Sequence, residues 1–416
     1  MLKNRNFVTL WLATWISAAG DTFNFLALAI RIDDLFPDPG ASARSLGLVM
    51  MASVVPILLV GMFAGTMVDR WDRKKVMIGS DLLRAVLVPG YLLLGTPQQL
   101  PIALAVAFLL AAVSAFFYPA RTALLPAMVE EDELMSANGW MQMGQTIARL
   151  SGPILAGVVV AAFGTSIAFV VDSISFLVSA GLLLLITGVP TVARAGATAK
   201  SAWQDFLEGA RYALNSSLLR AITLGISVAM LGLGAVNVLF VPFLRNTFNV
   251  EPTALGVVET AQGVGMLLGG LAIGALGRKL SSNRIALVST AMLGLGICVF
   301  GMAPTYAFIL VIMPIIGLTL PPLNASLNTL MQTNVPAKML GRSGAVIDMS
   351  ATVANLISMG LAGVLADAIG FRETFILGGI MIAIGGLMMG WLLQRSARSI
   401  GYETKRSPEP MAPAAD

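Results

Sequence analysis

Runs of apolar residues follow one another along almost the whole chain and constrain its fold more than any other feature. A membrane-spanning helix needs about 20 mostly apolar residues, and Gly, Pro and charged residues divide this sequence into twelve runs of suitable length. Of the 416 residues, 57% are hydrophobic and 12% are charged, whereas soluble domains carry about 25% charged residues. The sequence therefore predicts an all-α membrane protein with twelve transmembrane helices. We place them at 7–30, 45–68, 76–95, 101–120, 138–162, 166–188, 218–243, 253–276, 284–302, 306–330, 344–368 and 373–394.

The basic residues orient these predicted spans. With the N-terminus inside, most Lys and Arg residues fall in the inner loops, and the outer loops hold only Arg31, Arg44, Arg245 and Arg372. Cytoplasmic loops of membrane proteins are enriched in Lys and Arg. We therefore expect both termini in the cytoplasm and a multi-pass protein of the cytoplasmic (inner) membrane of a bacterium.

The rare residue types exclude several classes of function. The chain contains no histidine and one cysteine, Cys298, which lies inside an apolar run. Pairs of Ser or Cys with His, and metal sites built on His or Cys, are therefore excluded. No phosphate-binding Walker loop is present either. We expect a protein that is not an enzyme and that needs no metal or cofactor. Its basic residues lie in short loops, so we expect no nucleic-acid partner.

A long polar segment divides the spans into two related halves. Leu155–Gly164 resembles Leu361–Gly370, with Leu-Ala-Gly at the start and Gly at the end of each. Repeated halves are typical of transporters with a substrate site between the halves, near the membrane midplane. We predict an N-terminal six-helix bundle at 1–189, a linker with an amphipathic helix at 190–217, a C-terminal six-helix bundle at 218–394 and a disordered cytoplasmic tail at 395–416.

The loop between the second and third spans carries the most specific motif. It has a Gly, then Asp-Arg, then a basic run, and its members are Gly65, Asp69, Arg70, Arg73 and Lys74. This loop resembles the signature loop of the major facilitator superfamily, although Asp72 stands where the general pattern has Gly. The resemblance implies a latch on the cytoplasmic side that changes with conformation. The alternative is a simple positive-inside anchor.

Further motifs along the chain narrow the resemblance. They are Gly20-Asp21, Asp81-Leu-Leu-Arg84, Tyr118-Pro-Ala-Arg121, Gly152-Pro153 and Asp172-Ser-Ile-Ser-Phe176. Together they resemble the macrolide-efflux and enterobactin-exporter branch of that superfamily. Lysophospholipid transporters of the same superfamily share some of these elements, so a lipid substrate stays open. Gly152, Pro153 and Gly157 predict a kink in the fifth span, because Pro breaks a helix hydrogen bond. The resemblance implies that this kink prevents leak, although a kink needed only for packing is the alternative.

Charged residues inside the predicted spans are expensive in lipid and must face protein or water. Asp81 and Arg84 are three residues apart on one helix and predict an ion pair, and we expect Arg149 and Asp172 to pair between adjacent spans. Asp21, Glu259 and Asp348 have no partner nearby in the sequence. They are candidates for proton coupling or cation binding, unless hydroxyl groups or arginines of other helices satisfy them.

The predicted function is secondary active transport by alternating access. We expect a proton-coupled exporter of amphipathic or hydrophobic small molecules, drug-like or siderophore-like, with a lysophospholipid transporter or flippase as the alternative. Expected partners are the small-molecule or lipid substrate, protons and membrane lipids, and the protein is expected to be a monomer. Polar, aromatic and methionine residues within the spans are the candidates for the substrate cavity, although ordinary helix packing also explains them: Asn24, Phe117, Tyr118, Met143, Asn237, Gln262, Asn324 and Met349.

Overall fold

The computed structural model describes residues 4–68, 70–189 and 199–404. Throughout these residues the regular structure is helical, with thirteen α-helices and four short 3-10 turns. The helices are α1 (Arg5–Leu35), α2 (Pro39–Val68), α3 (Arg73–Leu87), α4 (Leu100–Leu124), α5 (Leu134–Phe163), α6 (Thr165–Leu184), α7 (Ala199–Asn215), α8 (Ser217–Phe248), α9 (Pro252–Lys279), α10 (Ser282–Gly301), α11 (Tyr306–Asn334), α12 (Ala337–Ile369) and α13 (Phe371–Thr404). An all-helical structure suits lipid, where each backbone polar group must be satisfied within the protein.

Side-chain caps set where several helices begin. The Asn4 side chain accepts a hydrogen bond from the Phe7 N–H at the start of α1. Asp72 does the same for the Lys75 N–H at the start of α3. Such caps satisfy N–H groups that have no partner within the helix. The Asp that departs from the general signature-loop pattern is therefore the N-cap of α3.

Two glycines end the repeated helices in the same way. Gly164 follows α5 with a φ of 80°, and Gly370 follows α12 with a φ of 93°. This region of backbone conformation favours glycine, because it has no Cβ. The two glycines occupy the same position in the related segments 155–164 and 361–370. The sequence repeat thus corresponds to a repeated helix end.

Eleven of the described helices are long and apolar enough to cross a membrane. The first helix, α1, is not among them, although it has 31 residues. It carries Asp21 and Asn24 in its middle and Arg31, Asp33 and Asp34 near its end, which lowers its mean hydropathy. The count of twelve spans therefore stays a prediction.

Two predicted ends differ from the structure. The span predicted at 76–95 is α-helical only to Leu87 and then continues as a 3-10 turn, Val88–Leu93. Pro89 lies in that turn and has no N–H for a helical hydrogen bond. At the other end of the chain, α13 runs on to Thr404, into the segment predicted as a disordered tail. Residues 405–416 lie outside the described residues.

Helix packing repeats between the first six and the last six helices. In the first set α1 packs on α5 and α6, and α4 packs on α2 and α3. In the second set α8 packs on α12 and α13, and α11 packs on α9 and α10. Between the sets, α5 packs on α9 and α2 packs on α12. The two interfaces are equivalent, because α5 corresponds to α12 and α2 corresponds to α9 in the repeat.

The interfaces between the sets are tightest where α2 and α9 begin. A Cβ atom on Gly157 of α5 would lie 2.7 Å from the Pro252 carbonyl oxygen of α9. A Cβ atom on Gly363 of α12 would lie 2.7 Å from the Arg44 backbone nitrogen of α2. Gly157 and Gly363 are equivalent in the sequence repeat, so the repeat places the same small residue at both close approaches.

Ion pairs join the two helix sets at this same end, which we call the closed end. Arg245 of α8 contacts Asp33 at 2.9 Å and Asp34 at 2.7 Å, both at the end of α1. Arg44 of α2 pairs with Asp367 of α12. The closed end therefore combines close backbone packing with charge pairs that link the two sets.

The opposite end, which we call the α7 end, carries the short amphipathic helix. Glu208 of α7 pairs with Arg342 of α12, and Gly209 packs directly against the Arg342 backbone. Trp203, Leu207 and Leu214 stay exposed on another face of α7. The linker helix is thus anchored to the second helix set.

We expect the replacement of Gly157 or Gly363 by Val to destabilise the protein by about 1–3 kcal/mol, because the new side chain would overpack the close approach. The matched control is Gly181→Val on α6, where an added Cβ meets nothing within 4 Å. The measurement is the thermal unfolding midpoint of purified protein. Equal midpoints for the three variants would show that these contacts do not carry the interface.

Candidate substrate cavity

A polar cavity lies mainly within the first helix set. Its volume is about 530 Å³, within the usual range of about 300–1,000 Å³ for ligand pockets. Charged and phenolic side chains from five helices line it, namely Asp21 of α1, Arg84 of α3, Tyr118 and Arg121 of α4, Arg149 of α5 and Glu259 of α9. The last of these comes from the second helix set, so the cavity reaches the interface between the two sets.

An apolar cavity of about 530 Å³ adjoins the polar one. The two cavities share the side chains of Thr22, Phe25, Arg149 and Glu259. Aromatic and methionine side chains make up much of the second cavity, including Met50, Phe240, Phe300, Met313 and Met359. Methionine adapts to ligands of different shape. The combined space suits a molecule with a polar group and an apolar body.

Asp81 and Arg84 form an ion pair on α3 beside the polar cavity. The side chains are 0% and 3% exposed, and the Ser179 hydroxyl donates to Asp81 at 2.6 Å. The Arg84 guanidinium lies 4.4 Å from the ring centres of both Phe117 and Phe176. Two aromatic faces and a carboxylate thus hold this arginine in place.

The predicted pair between Arg149 and Asp172 is wrong. In the described part of the chain no ion pair joins them, because Arg149 faces the cavity from α5 while Asp172 is fully buried against α1. A Cβ atom on Gly20 of α1 would lie 2.6 Å from an Asp172 oxygen. The Ser175 hydroxyl lies 3.5 Å from the same carboxylate. Asp172 therefore belongs to the α1–α6 interface.

Four charged side chains of the polar cavity have no ion-pair partner among the described residues, namely Asp21, Arg121, Arg149 and Glu259. One nitrogen of Arg121, Nη1, is buried and has no hydrogen-bond acceptor. Arg121 instead lies over the Tyr118 ring at 5.3 Å. Because charges in a membrane protein are normally paired or wet, these groups mark the cavity as the candidate site.

The third predicted coupling residue, Asp348, lies elsewhere. It lines a recess of about 470 Å³ in the second helix set, together with Asn324 and Gln332. The apolar cavity and this recess share Leu233 and Leu293. Asp348 is thus separated from Asp21 and Glu259, in a recess that borders the apolar cavity at these two leucines.

The signature-loop residues act within the first helix set. Lys74 donates to the Leu184 carbonyl at 3.0 Å and to the Ile186 carbonyl at 2.6 Å, at the end of α6. Arg73 donates to the Ala123 carbonyl at 3.1 Å, at the end of α4. Cations at helix C-termini satisfy free carbonyl groups and complement the helix dipole.

Three members of the signature loop remain. Arg70 is exposed, Gly65 lies within α2, and Asp69 is outside the described residues. Its proposed latch role therefore has no structural description here and stays a prediction.

The Gly-Pro element of α5 lies at two helix contacts. Pro153 is inside the helix, Gly152 faces Thr22 of α1, and Gly157 meets the start of α9. The small residues therefore let α5 approach α1 within its own set and α9 in the second set. The predicted kink stays a prediction.

Some of the other predicted cavity residues line one of the two cavities, and some line neither. Phe117 and Tyr118 line the polar cavity, and Asn237 and Gln262 line the apolar one. Asn24 is instead partly buried in α1 with a buried, unpartnered Oδ1 atom. Met143 and Met349 belong to neither cavity.

The most important residue that sequence reasoning missed is Arg121. We predicted the fourth span to end at 120 and assigned Arg121 to an inner loop, whereas α4 continues to Leu124. Tyr118 and Arg121 are three residues apart, which places them on one helix face. That spacing was the available signal.

Three comparisons place this architecture among known proteins. The family described as transmembrane secretion effector matches residues 1–412. Macrolide efflux protein A of Streptococcus pyogenes is 25% identical over 387 residues, which cover 92% of this chain and 95% of that protein. Multidrug efflux pump Tap of Mycolicibacterium fortuitum is 30% identical over 351 residues, or 80% of this chain and 84% of that one.

A solved structure supports the fold alone. A point mutant of the nucleoside transporter NupG superposes with a TM-score of 0.78 at 11% identity, covering 93% of this chain and 99% of that one. The matching family and the relatives define a class, the membrane transporters of the major facilitator superfamily, rather than an enzyme class. The chain belongs to the transmembrane secretion effector family, in the efflux branch of that superfamily.

We expect loss of one partner of the Asp81–Arg84 pair to destabilise the protein by about 3–5 kcal/mol, because it leaves a buried charge unpaired. The variants are Asp81→Leu, Arg84→Leu and the double variant, compared by thermal unfolding. The double variant is expected to be more stable than either single one. Strictly additive losses would contradict a direct pair.

Proposed function

We propose that this protein is a secondary exporter that works by alternating access. The observation that carries the proposal is the cavity between the two helix sets, closed at one end by close packing and cross-set ion pairs. At the α7 end, Gly139 of α5 and Gly341 and Gly344 of α12 face open space. The named efflux functions of the relatives support export as the direction. The structure would then be the state that opens towards the α7 end.

The proposed topology has twelve spans, with α1 as the twelfth. Although α1 is too polar to stand alone in lipid, it packs on α5 and α6 and turns Asp21 towards the cavity. Two six-helix bundles, α1–α6 and α8–α13, would then be related by a pseudo-two-fold axis. The distribution of Lys and Arg supports a topology with the α7 end and both termini in the cytoplasm. The membrane would be the inner membrane of a bacterium.

The proposed coupling ion is the proton. Asp21 and Glu259 face one cavity from opposite helix sets and have no ion-pair partner among the described residues. A carboxyl group that is not held in a fixed pair can bind a proton in one conformation and release it in another. Relative movement of the two sets would change the surroundings of both groups together.

We expect Asp21→Asn and Glu259→Gln to abolish pH-driven accumulation while leaving substrate exchange intact. The assay follows the neutral fluorescent probe N-phenyl-1-naphthylamine in inside-out vesicles with an imposed pH gradient. Asp132→Asn, at an exposed position of a surface turn, is the matched control. Uphill transport by both cavity variants at the wild-type rate would refute the coupling role. If the wild-type protein moves neither this probe nor its anionic analogue 1-anilinonaphthalene-8-sulfonate, export itself fails as the function.

We expect Arg245→Ala to loosen the closed end, because it removes the contacts with Asp33 and Asp34. The readout is the rate at which an impermeant thiol reagent labels Thr22→Cys from outside, in a Cys298→Ser background. A loss of about 1 kcal/mol corresponds to a rise of about fivefold. Arg31→Ala is the matched control, since Arg31 donates to the Leu94 carbonyl within its own helix set. Equal rises in both variants would contradict a gate at Arg245.

A further inference from the structure

The polar cavity concentrates positive charge around one hydroxyl group. Tyr118 lies within electrostatic range of three guanidinium groups, those of Arg84, Arg121 and Arg149, and of one carboxylate, Asp21. Tyr118 is 47% exposed and lines the cavity. The region around Tyr118 thus carries more cationic than anionic groups.

These arginines differ in how far the protein satisfies them. Arg84 pairs with Asp81 and lies between two aromatic faces, and only its Nε is buried without a partner. Arg121 keeps a buried Nη1 without an acceptor, and Arg149 has no hydrogen bond or ion pair within the described residues. A buried donor without an acceptor is unfavourable. Two arginines that line the cavity therefore have no fixed anionic partner among the described residues.

The carboxylates of the cavity do not fill this role. Asp21 is the one nearest Tyr118, and it lies in the fields of both Arg84 and Asp81. Glu259 faces the cavity from the opposite helix set and forms no ion pair in the described part of the chain. Neither carboxylate forms an ion pair with Arg121 or Arg149 in the described part of the chain, so both guanidinium groups remain available to an anion that enters the cavity.

We propose that Arg121, Arg149 and the Tyr118 hydroxyl bind the anionic group of an amphipathic substrate. The guanidinium fork matches a carboxylate, sulfonate or phosphate in shape and charge. The apolar body of the substrate would occupy the adjoining cavity with Met50, Phe240 and Phe300. This inference rests on the proposed function and names the substrate class: a single-headed anionic amphiphile.

The test compares two probes that differ only in the anionic group. They are 1-anilinonaphthalene-8-sulfonate and N-phenyl-1-naphthylamine, and fluorescence reports their binding to purified protein in nanodiscs, with empty nanodiscs subtracted. We expect Arg121→Gln and Arg149→Gln each to weaken sulfonate binding about tenfold, which corresponds to about 1.4 kcal/mol. Binding of the neutral probe is expected to stay within twofold, roughly the scatter of surface changes.

Three controls separate charge recognition from damage to the fold. Arg149→Lys keeps a cation and is expected to retain more sulfonate binding than Arg149→Gln. Arg220→Gln, at an exposed position of α8, is expected to change neither probe. Arg149 lines an open cavity, so its variant tests the proposal even if Arg121→Gln does not fold. Equal effects of the glutamine variants on both probes would overturn the proposal.

Competition distinguishes the source of the anionic group. Displacement of the sulfonate probe by dodecanoate supports a soluble amphiphile, whereas displacement by lysophosphatidylglycerol alone supports a membrane lipid. Failure of both competitors would overturn the proposal. If the vesicles transport the neutral probe, but the glutamine variants do not weaken sulfonate binding more than binding of the neutral probe, the anionic substrate class is wrong and export stands. If the vesicles transport neither the neutral probe nor the sulfonate, the exporter function fails independently.

Discussion

The protein must place charged and polar groups in a solvent that does not hydrate them, and the rest of the structure follows from this constraint. Backbone groups are satisfied within helices. Asp81 and Arg84 pair with each other, Ser179 donates to Asp81, and two aromatic rings lie against Arg84. Asp21, Arg121, Arg149 and Glu259 have no such partner in the described residues, and they converge on one cavity. The exceptions to the rule thus locate the site.

The second determinant is the repeat of the two helix sets. Equivalent glycines, Gly157 and Gly363, allow the two symmetric interfaces to close at the same end. Ion pairs there involve partly exposed side chains, such as Arg245 at 23% exposure, and each contributes little to stability. An interface held by shape and by weak charge pairs can separate without unfolding either set. This is the property that alternating access requires.

Much of the fold was predictable, because the length and spacing of apolar runs determine helix number and approximate bounds. The Leu-Ala-Gly repeat also predicted the relation between α5 and α12. The site was less predictable, since the sequence does not report how each helix is rotated about its axis. Arg149 and Asp172 lie on adjacent helices but face different partners, and their predicted pairing was therefore wrong. Arg245 and Asp33 are 212 residues apart in the sequence, and no local pattern indicates their contact.

The central claim is that the closed end and the α7 end open alternately. Paired spin labels measure this directly: one pair on Thr96 and Met302 at the closed end, the other on Met135 and Lys338 at the α7 end, all exposed positions. Pulsed electron–electron double resonance in nanodiscs would report both distance distributions as pH and substrate are varied. Alternating access predicts opposite changes at the two ends. Under conditions that lengthen the distance at the closed end, the distance at the α7 end becomes shorter, and both populations grow together. Two distances that stay single and unchanged under every condition would contradict it.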